Sequence, residues 1–273
     1  MLNATTYTYD GRFSGEFGLV IAQLDAENIQ ETMPFQSTIH AIKTPKSRRF
    51  SFAGIEQEDM PQFQFRIFSP QDEPLSNIVQ RELLTWLVSR NGFRKLQFHQ
   101  PEYNDYEYNC IFSEVGKQYV NGFCHGIILT ATFDSQFAYG KPRKKNLSSD
   151  GSDWVELKII NDSDIIDDYV YPEVSFTQFA PIEDCAIIIK NTSDKANPNR
   201  EFKFDALLPN ERVIVDNELK IIYRHKNSVS NSGNLLSKFN LNWLRLVKGV
   251  NILKVKINGE MQIVCQTYIK IGF

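Results

Sequence analysis

Apolar and polar residues alternate with a period of two along most of this chain. In QFQFRIF, Phe63, Phe65 and Ile67 alternate with Gln62, Gln64 and Arg66. In DYEYNCIF, Tyr106, Tyr108, Cys110 and Phe112 share one face. In GFCHGIILTATF, Phe123, His125, Ile127, Leu129, Ala131 and Phe133 share one face, with Thr130 and Thr132 on the other. Such segments predict strands with one buried side, as in antiparallel sheets. The pattern resumes after Trp154, where Val155, Leu157 and Ile159 alternate with Glu156 and Lys158. Further on, Phe202, Phe204 and Ala206 alternate with Glu201, Lys203 and Asp205.

One segment has a different period. Leu75, Ile78, Val79, Leu83, Trp86 and Leu87 fall on one stripe of a helix, which predicts a helix over 74–90 packed on a sheet. Pro74 suits the first helical position, Asp72 and Glu73 suit the positive helix start, and Asn91-Gly92 suits the stop. Near the C-terminus, Asn258-Gly259 separates Leu253, Val255 and Ile257 from Met261, Ile263 and Cys265. Asn-Gly accepts the positive φ angles of a two-residue turn, so a hairpin is expected there.

The stretch AYGKPRKKNLSSDGSD is rich in Gly, Pro, Lys and Ser and reads as a linker. The expected organisation is an N-terminal β domain over 1–140, a linker over 141–153 and a C-terminal β-sandwich over 154–273. The fold class is mainly β, with one helix.

Composition narrows the functional classes. The chain has 273 residues, 42% of them hydrophobic and 23% charged, as a folded protein does. Its formal net charge of −3 gives no basic footprint for nucleic acid. No apolar run is long enough to span a membrane and no signal peptide is visible, so synthesis in a cytoplasm is expected. Cys110, Cys124, Cys185 and Cys265 lie far apart, which suggests free thiols in strands.

The chemistry-bearing residues form no catalytic pattern. Gly11, Gly15 and Gly18 sit in YDGRFSGEFGL, but no Lys follows, and Asp10 and Glu16 would repel a phosphate. These glycines are read instead as a tight strand-to-strand turn. His40, His99, His125 and His225 have no partner at ligand spacing. The run DSDIIDD holds Asp162, Asp164, Asp167 and Asp168 without the EF-hand spacing. Lys141, Arg143, Lys144 and Lys145 form a basic cluster, read as solvated. Paired carboxylates for glycoside hydrolysis remain open, since any two of 33 acids can meet in space. Trp154, Trp243, Tyr169 and Tyr171 are candidates for stacking on sugars. No catalytic, cofactor-binding or metal residue is assigned, and the chain reads as a scaffold or binder, not an enzyme.

The order of these phrases resembles the distal tail (Dit) protein family of siphophages and phage-tail-like particles of Gram-positive bacteria. YDGRFSGEFGL is similar to the family's F-[ND]-G-x-x-S-x-[DE]-F-G-L, with Asp10, Gly11, Ser14, Glu16, Phe17, Gly18 and Leu19 in matching places. The helix ends in Trp86-Leu87, followed by RKLQF, and GIILTATFDSQFAYG keeps Ala138-Tyr139 of a closing P-Y-A-Y phrase. Tyr171-Pro172 precedes a strand as in the family, and WLRLVKGVNILKV keeps Trp243, Leu246, Gly249 and Asn251 in register. One departure is TPKSRRFSFAG, which keeps Pro45 of a P-G-R-x-G loop but lacks the glycine after it.

The resemblance implies an N-terminal split β-barrel with one helix and a C-terminal galectin-like sandwich. It implies a structural protein of the virion tail tip that forms a ring, usually a hexamer. The ring would meet the tail tube protein on one side and the tail-associated lysin or hub protein on the other, with receptor-binding proteins nearby. No cofactor, nucleic-acid contact or membrane contact is implied. Subunit contacts are expected among N-terminal strand edges and the loop from Lys43 to Phe52. The alternative is a carbohydrate-binding protein acting through the C-terminal sandwich.

Overall fold

The computed structural model describes residues 5–22, 38–56, 60–70, 73–88, 90–101, 104–166, 168–225 and 234–270. The chain divides into two compact units, Met1–Ala138 with Lys270–Phe273, and Tyr139–Ile269. Asp72 and Asp167 lie outside the described residues.

The N-terminal unit is built on a curled antiparallel sheet of seven strands. Its strands are β1 (Tyr7–Tyr9), β2 (Arg12–Phe13), β3 (Val20–Ala22), β6 (Gln62–Phe68), β7 (Arg94–Phe98), β8 (Tyr108–Val120) and β9 (Phe123–Phe133). Their order is β2-β1-β7-β8-β9-β6-β3. Among the described residues, strands β4 (Thr38–Ile42) and β5 (Ser51–Glu56) form a two-stranded sheet of their own. Helix α1 (Asn77–Val88) buries Gln80, Leu83, Trp86 and Leu87.

Trp86 anchors that helix to the first strand. Its ring stacks on Tyr7 at 5.8 Å and on Phe17 at 5.4 Å, and its Nε1–H donates to the Tyr9 carbonyl at 3.0 Å. The indole thus fills aromatic space and satisfies a buried polar group together. The helix begins three residues after Pro74: the Ser76 hydroxyl accepts from the Val79 N–H at 3.3 Å and serves as the cap. At about 100° per residue Ile78 falls on the opposite side from Leu83 and Leu87; it is 75% exposed and leaves the expected buried stripe.

The three N-terminal glycines serve two devices, not one reversal. Asp10 and Gly11, with φ of 50° and 77°, form the two-residue turn that pairs Tyr9 with Arg12. A short 3-10 turn, Ser14–Phe17, follows and closes on Gly18. At Gly15 an added Cβ would lie 2.2 Å from the half-exposed Phe13 ring, which would have to turn away. The register across β8 and β9 slips at bulges, which places Phe123 outside and Cys124 inside, against the expected alternation.

In the C-terminal unit two sheets share one strand. After the two-residue strand β10 (Ala138–Tyr139) come β11 (Arg143–Asp150), β12 (Val155–Asn161), β13 (Glu173–Gln178), β14 (Cys185–Asn191), β15 (Glu201–Asp205), β16 (Arg212–Asp216) and β17 (Ile221–Arg224). The long β18 (Gly249–Cys265) precedes the short β19 (Tyr268–Ile269). The first half of β18 pairs with β12 and β14, and its second half with β11 and β13.

Two expectations are overturned here. Residues 143–150, expected within a linker, are a strand bonded to β18 from Arg143↔Cys265 to Asp150↔Asn258. Asn258-Gly259 is not a hairpin turn: the chain runs through it as one strand and passes from one sheet to the other. Leu253, Val255, Ile257, Met261, Ile263 and Cys265 all point into the same core. A two-residue turn would have put Ile257 opposite Glu260, out of phase with that core. Gly259, at φ 151°, lets the strand cross so close to its neighbour that an added Cβ would sit 2.0 Å from the Thr177 carbonyl oxygen. The two inner faces meet through Phe176 and Phe204 at 5.3 Å, and Phe239 stacks on Phe204 at 4.7 Å.

Candidate assembly interface

The β4–β5 hairpin departs from every other strand pair in its burial. Ile39, Ile42, Phe50 and Phe52 are 66%, 62%, 67% and 68% exposed. The pairing runs from Thr38↔Glu56 to Ile42↔Ser51, with a bulge between His40 and Ala41. A two-stranded hairpin is marginal in water by itself. Phe52 stands beside Ala41, in phase with Ile39, while Ile42 turns to the other side, so both faces of the hairpin expose large apolar side chains that contact with another chain would bury.

The loop at its tip is strongly basic. KTPKSRRF carries Lys43, Lys46, Arg48 and Arg49 with no acid. Lys43 Nζ lies 5.3 Å from the Phe50 ring centroid. The Ser47 N–H donates to the Thr44 carbonyl at 3.0 Å, closing a turn in which Lys46 has φ 68°. That residue follows Pro45, where the resembled loop has glycine. Lys46 therefore holds a left-handed conformation at an energetic cost glycine would not incur. Ser47 then bridges the loop, its hydroxyl donating to the Arg49 carbonyl at 2.8 Å.

A second apolar tip closes the β8–β9 pair. Tyr119, Val120 and Phe123 are exposed around Asn121 and Gly122, whose φ angles are 52° and 84°. The edge strands of the seven-stranded sheet, β2 and β3, have two and three residues. Such short edges are poor templates for further pairing.

The residues singled out for chemistry are not gathered into a site. Among the described residues no group of three or more His, Cys, Asp or Glu could hold a metal ion. His99 Nε2 lies 2.7 Å from the Thr8 hydroxyl, and His40 is on the exposed arm. Asp162 pairs with Arg143, which puts one member of the acidic run against one of the basic cluster. The four cysteines are free and buried. Burial, then the charge of Asp162, pushes the Cys265 thiol up to about 11, and burial pushes Cys110 higher, so neither is a thiolate at neutral pH. Trp243 packs edge-on against Phe239 at 4.9 Å, and the Arg245 guanidinium covers Tyr169 at 3.8 Å. Trp154 is 41% exposed, with Lys190 Nζ over its ring at 5.1 Å. The arm was legible in the sequence only as a loop; Ile39 and Ile42, three residues apart, give no period-two pattern to mark a strand.

Comparison with known proteins agrees with this architecture. Residues 2–135 match the family described as phage tail protein N-terminal domain, and residues 137–265 match that described as phage tail C-terminal domain. No curated protein sequence matches the chain. Among solved structures, the Dit protein of phage SPP1, described as a paradigm of the hub adsorption apparatus of phages infecting Gram-positive bacteria, aligns with a TM-score of 0.63. The identity is 11%, over 96% of this chain and 98% of that one. A chain of the phage P2 baseplate in its activated conformation with calcium aligns at a TM-score of 0.48 and 10% identity, over 93% and 92% of the two chains. Among the described residues no helix is long and apolar enough to cross a membrane. With both of its halves matched and its fold shared with a hub protein, the chain belongs to the phage tail proteins, as a member with the distal tail protein fold.

Proposed function

We propose that this protein is a non-enzymatic distal tail protein that closes into a ring, six copies in the simplest case, at the tip of a phage tail or phage-tail-like particle. The ring joins the tail tube protein to the tail-associated lysin or hub protein and supports the receptor-binding apparatus. The observation that carries this reading is the β4–β5 arm. Its large apolar side chains Ile39, Ile42, Phe50 and Phe52 are exposed in the subunit, and a neighbouring copy of the chain would cover them. A contact between an arm and a different surface of the next copy is heterologous, and repeated around an axis it closes a ring.

Negative-stain images of the purified full chain test the ring. The expected result is a closed annulus with a central hole. Only compact single subunits, both alone and after mixing with purified tail tube protein, would rule the reading out.

A further inference from the structure

The outer face of the second sandwich sheet carries an open concavity of about 420 Å³. Cross-strand register builds its floor. Asn146, Gln262 and Ser175 lie side by side on β11, β18 and β13. One step along, Ser148, Glu260, Thr177 and Arg212 form a second row that reaches β16. The side chains between these, Phe176 and Met261, point into the core. Gln262 Nε2 donates to Asn146 Oδ1 at 2.9 Å, which leaves the Asn146 amide donors and the Gln262 carbonyl for a ligand. Ser175 is 7% exposed, so its hydroxyl reaches solvent only through the concavity. The first row continues through Ile214 to Tyr223 on β17, a 43% exposed ring at the end of the polar array.

We propose that this concavity, floored by Ser175, Gln262, Asn146 and Thr177 and flanked by Arg212 and Glu260, binds a neutral saccharide. Closely spaced hydroxyl and carboxamide groups on a rigid sheet match the hydroxyls of a pyranose chain, whose polar groups act as donors and acceptors alike. An exposed tyrosine at the end of the row offers a stacking platform. A protein partner fits poorly, because protein interfaces centre on aromatic, Met and Arg side chains and are depleted in Ser. A polyanion fits poorly as well. On this face Lys144 and Arg212 stand against Glu173, Asp216 and Glu260, a net negative charge. The inference does not depend on the ring, since every residue it uses lies within one sandwich.

The test is saturation-transfer NMR and titration calorimetry on the full chain. The probes are the tetrasaccharides of glucose, galactose and N-acetylglucosamine, with poly(glycerol phosphate) as the charged polymer. At least one neutral tetrasaccharide should bind. Gln262→Ala and Arg212→Ala should each weaken binding roughly tenfold, the loss of one or two ligand hydrogen bonds, with melting temperature unchanged. Trp154→Ala should bind as wild type does. The arm variant Ile42→Ser/Phe52→Ser should also bind normally, which separates this site from assembly. Failure of all three neutral probes, wild-type binding by both concavity variants, or retention of poly(glycerol phosphate) alone would overturn the proposal.

Discussion

Strand β18 and the β4–β5 arm are both paired strands rich in large apolar residues, yet they hold opposite relations to solvent. Along β18 every second residue from Asn251 to Cys265 is buried, because two sheets close over it. Along β4, Ile39 and Ile42 stay open although they are as apolar as Ile257 or Ile263. Alternation fixes which side chains share a face; it does not say whether anything within the subunit covers that face. The sandwich completes its own burial. The arm does not, and on our account a neighbouring subunit completes it.

The sharpest way to break the self-sufficiency of β18 is at its bend. Gly259→Val places side-chain atoms against the Thr177 carbonyl and should cost about 3 kcal/mol, read by urea denaturation of the full chain. Next comes the polar knot at the start of the strand. Asn251 is fully buried; its Oδ1 accepts from Asn191 Nδ2 and the Val247 N–H, both at 2.9 Å, and its Nδ2 donates to the Val247 carbonyl at 2.8 Å. Asn251→Ala strands those partners in the core and should cost about 2 kcal/mol in the same assay. On the arm, Lys46→Gly relieves the left-handed strain by about 1 kcal/mol. That should appear as slower amide exchange at Ser47 and Arg49 with little change in global stability.

The smallest effect is electrostatic and belongs to the sandwich. Burial, then the charge of Asp216, raises the Glu173 carboxyl above the ordinary glutamate range, with Lys144 opposing. The folded state therefore holds this proton more tightly than the unfolded one. Stability from this group is full below the unfolded value and is lost as pH rises through the folded value. Glu173→Gln should flatten that fall, raising the melting temperature slightly at neutral pH and leaving it unchanged in acid. A variant profile that runs parallel to wild type through that interval would refute the assignment.

Much of this fold could be read from the residues. Strand periods, the Trp86 helix, the division into two β units and the family phrases were all legible. The errors have physical causes. Asn258-Gly259 has the chemistry of a turn, but every odd-numbered flanking residue from Leu253 to Cys265 is apolar and Val264 is the one even-numbered exception. That unbroken phase was the available signal for a continuous strand. Residues 143–150 lack apolar alternation because only Leu147 and Ser149 are even half-covered, so a true strand looked like a linker. Ser76 was passed over as a cap because Pro74 offered an earlier start. Of the candidate interface, Lys43 to Phe52 was visible as a place of departure, while the strands that make it an arm were not.

The most direct test of the central claim is a paired native mass measurement of wild type and Ile42→Ser/Phe52→Ser at equal concentrations. Both residues are more than half exposed in the subunit, so the variant should keep its fold within about 0.5 kcal/mol. The account predicts a closed oligomer for wild type and single subunits for the variant. Oligomers of the same mass from both proteins would show that the arm is not what holds the ring.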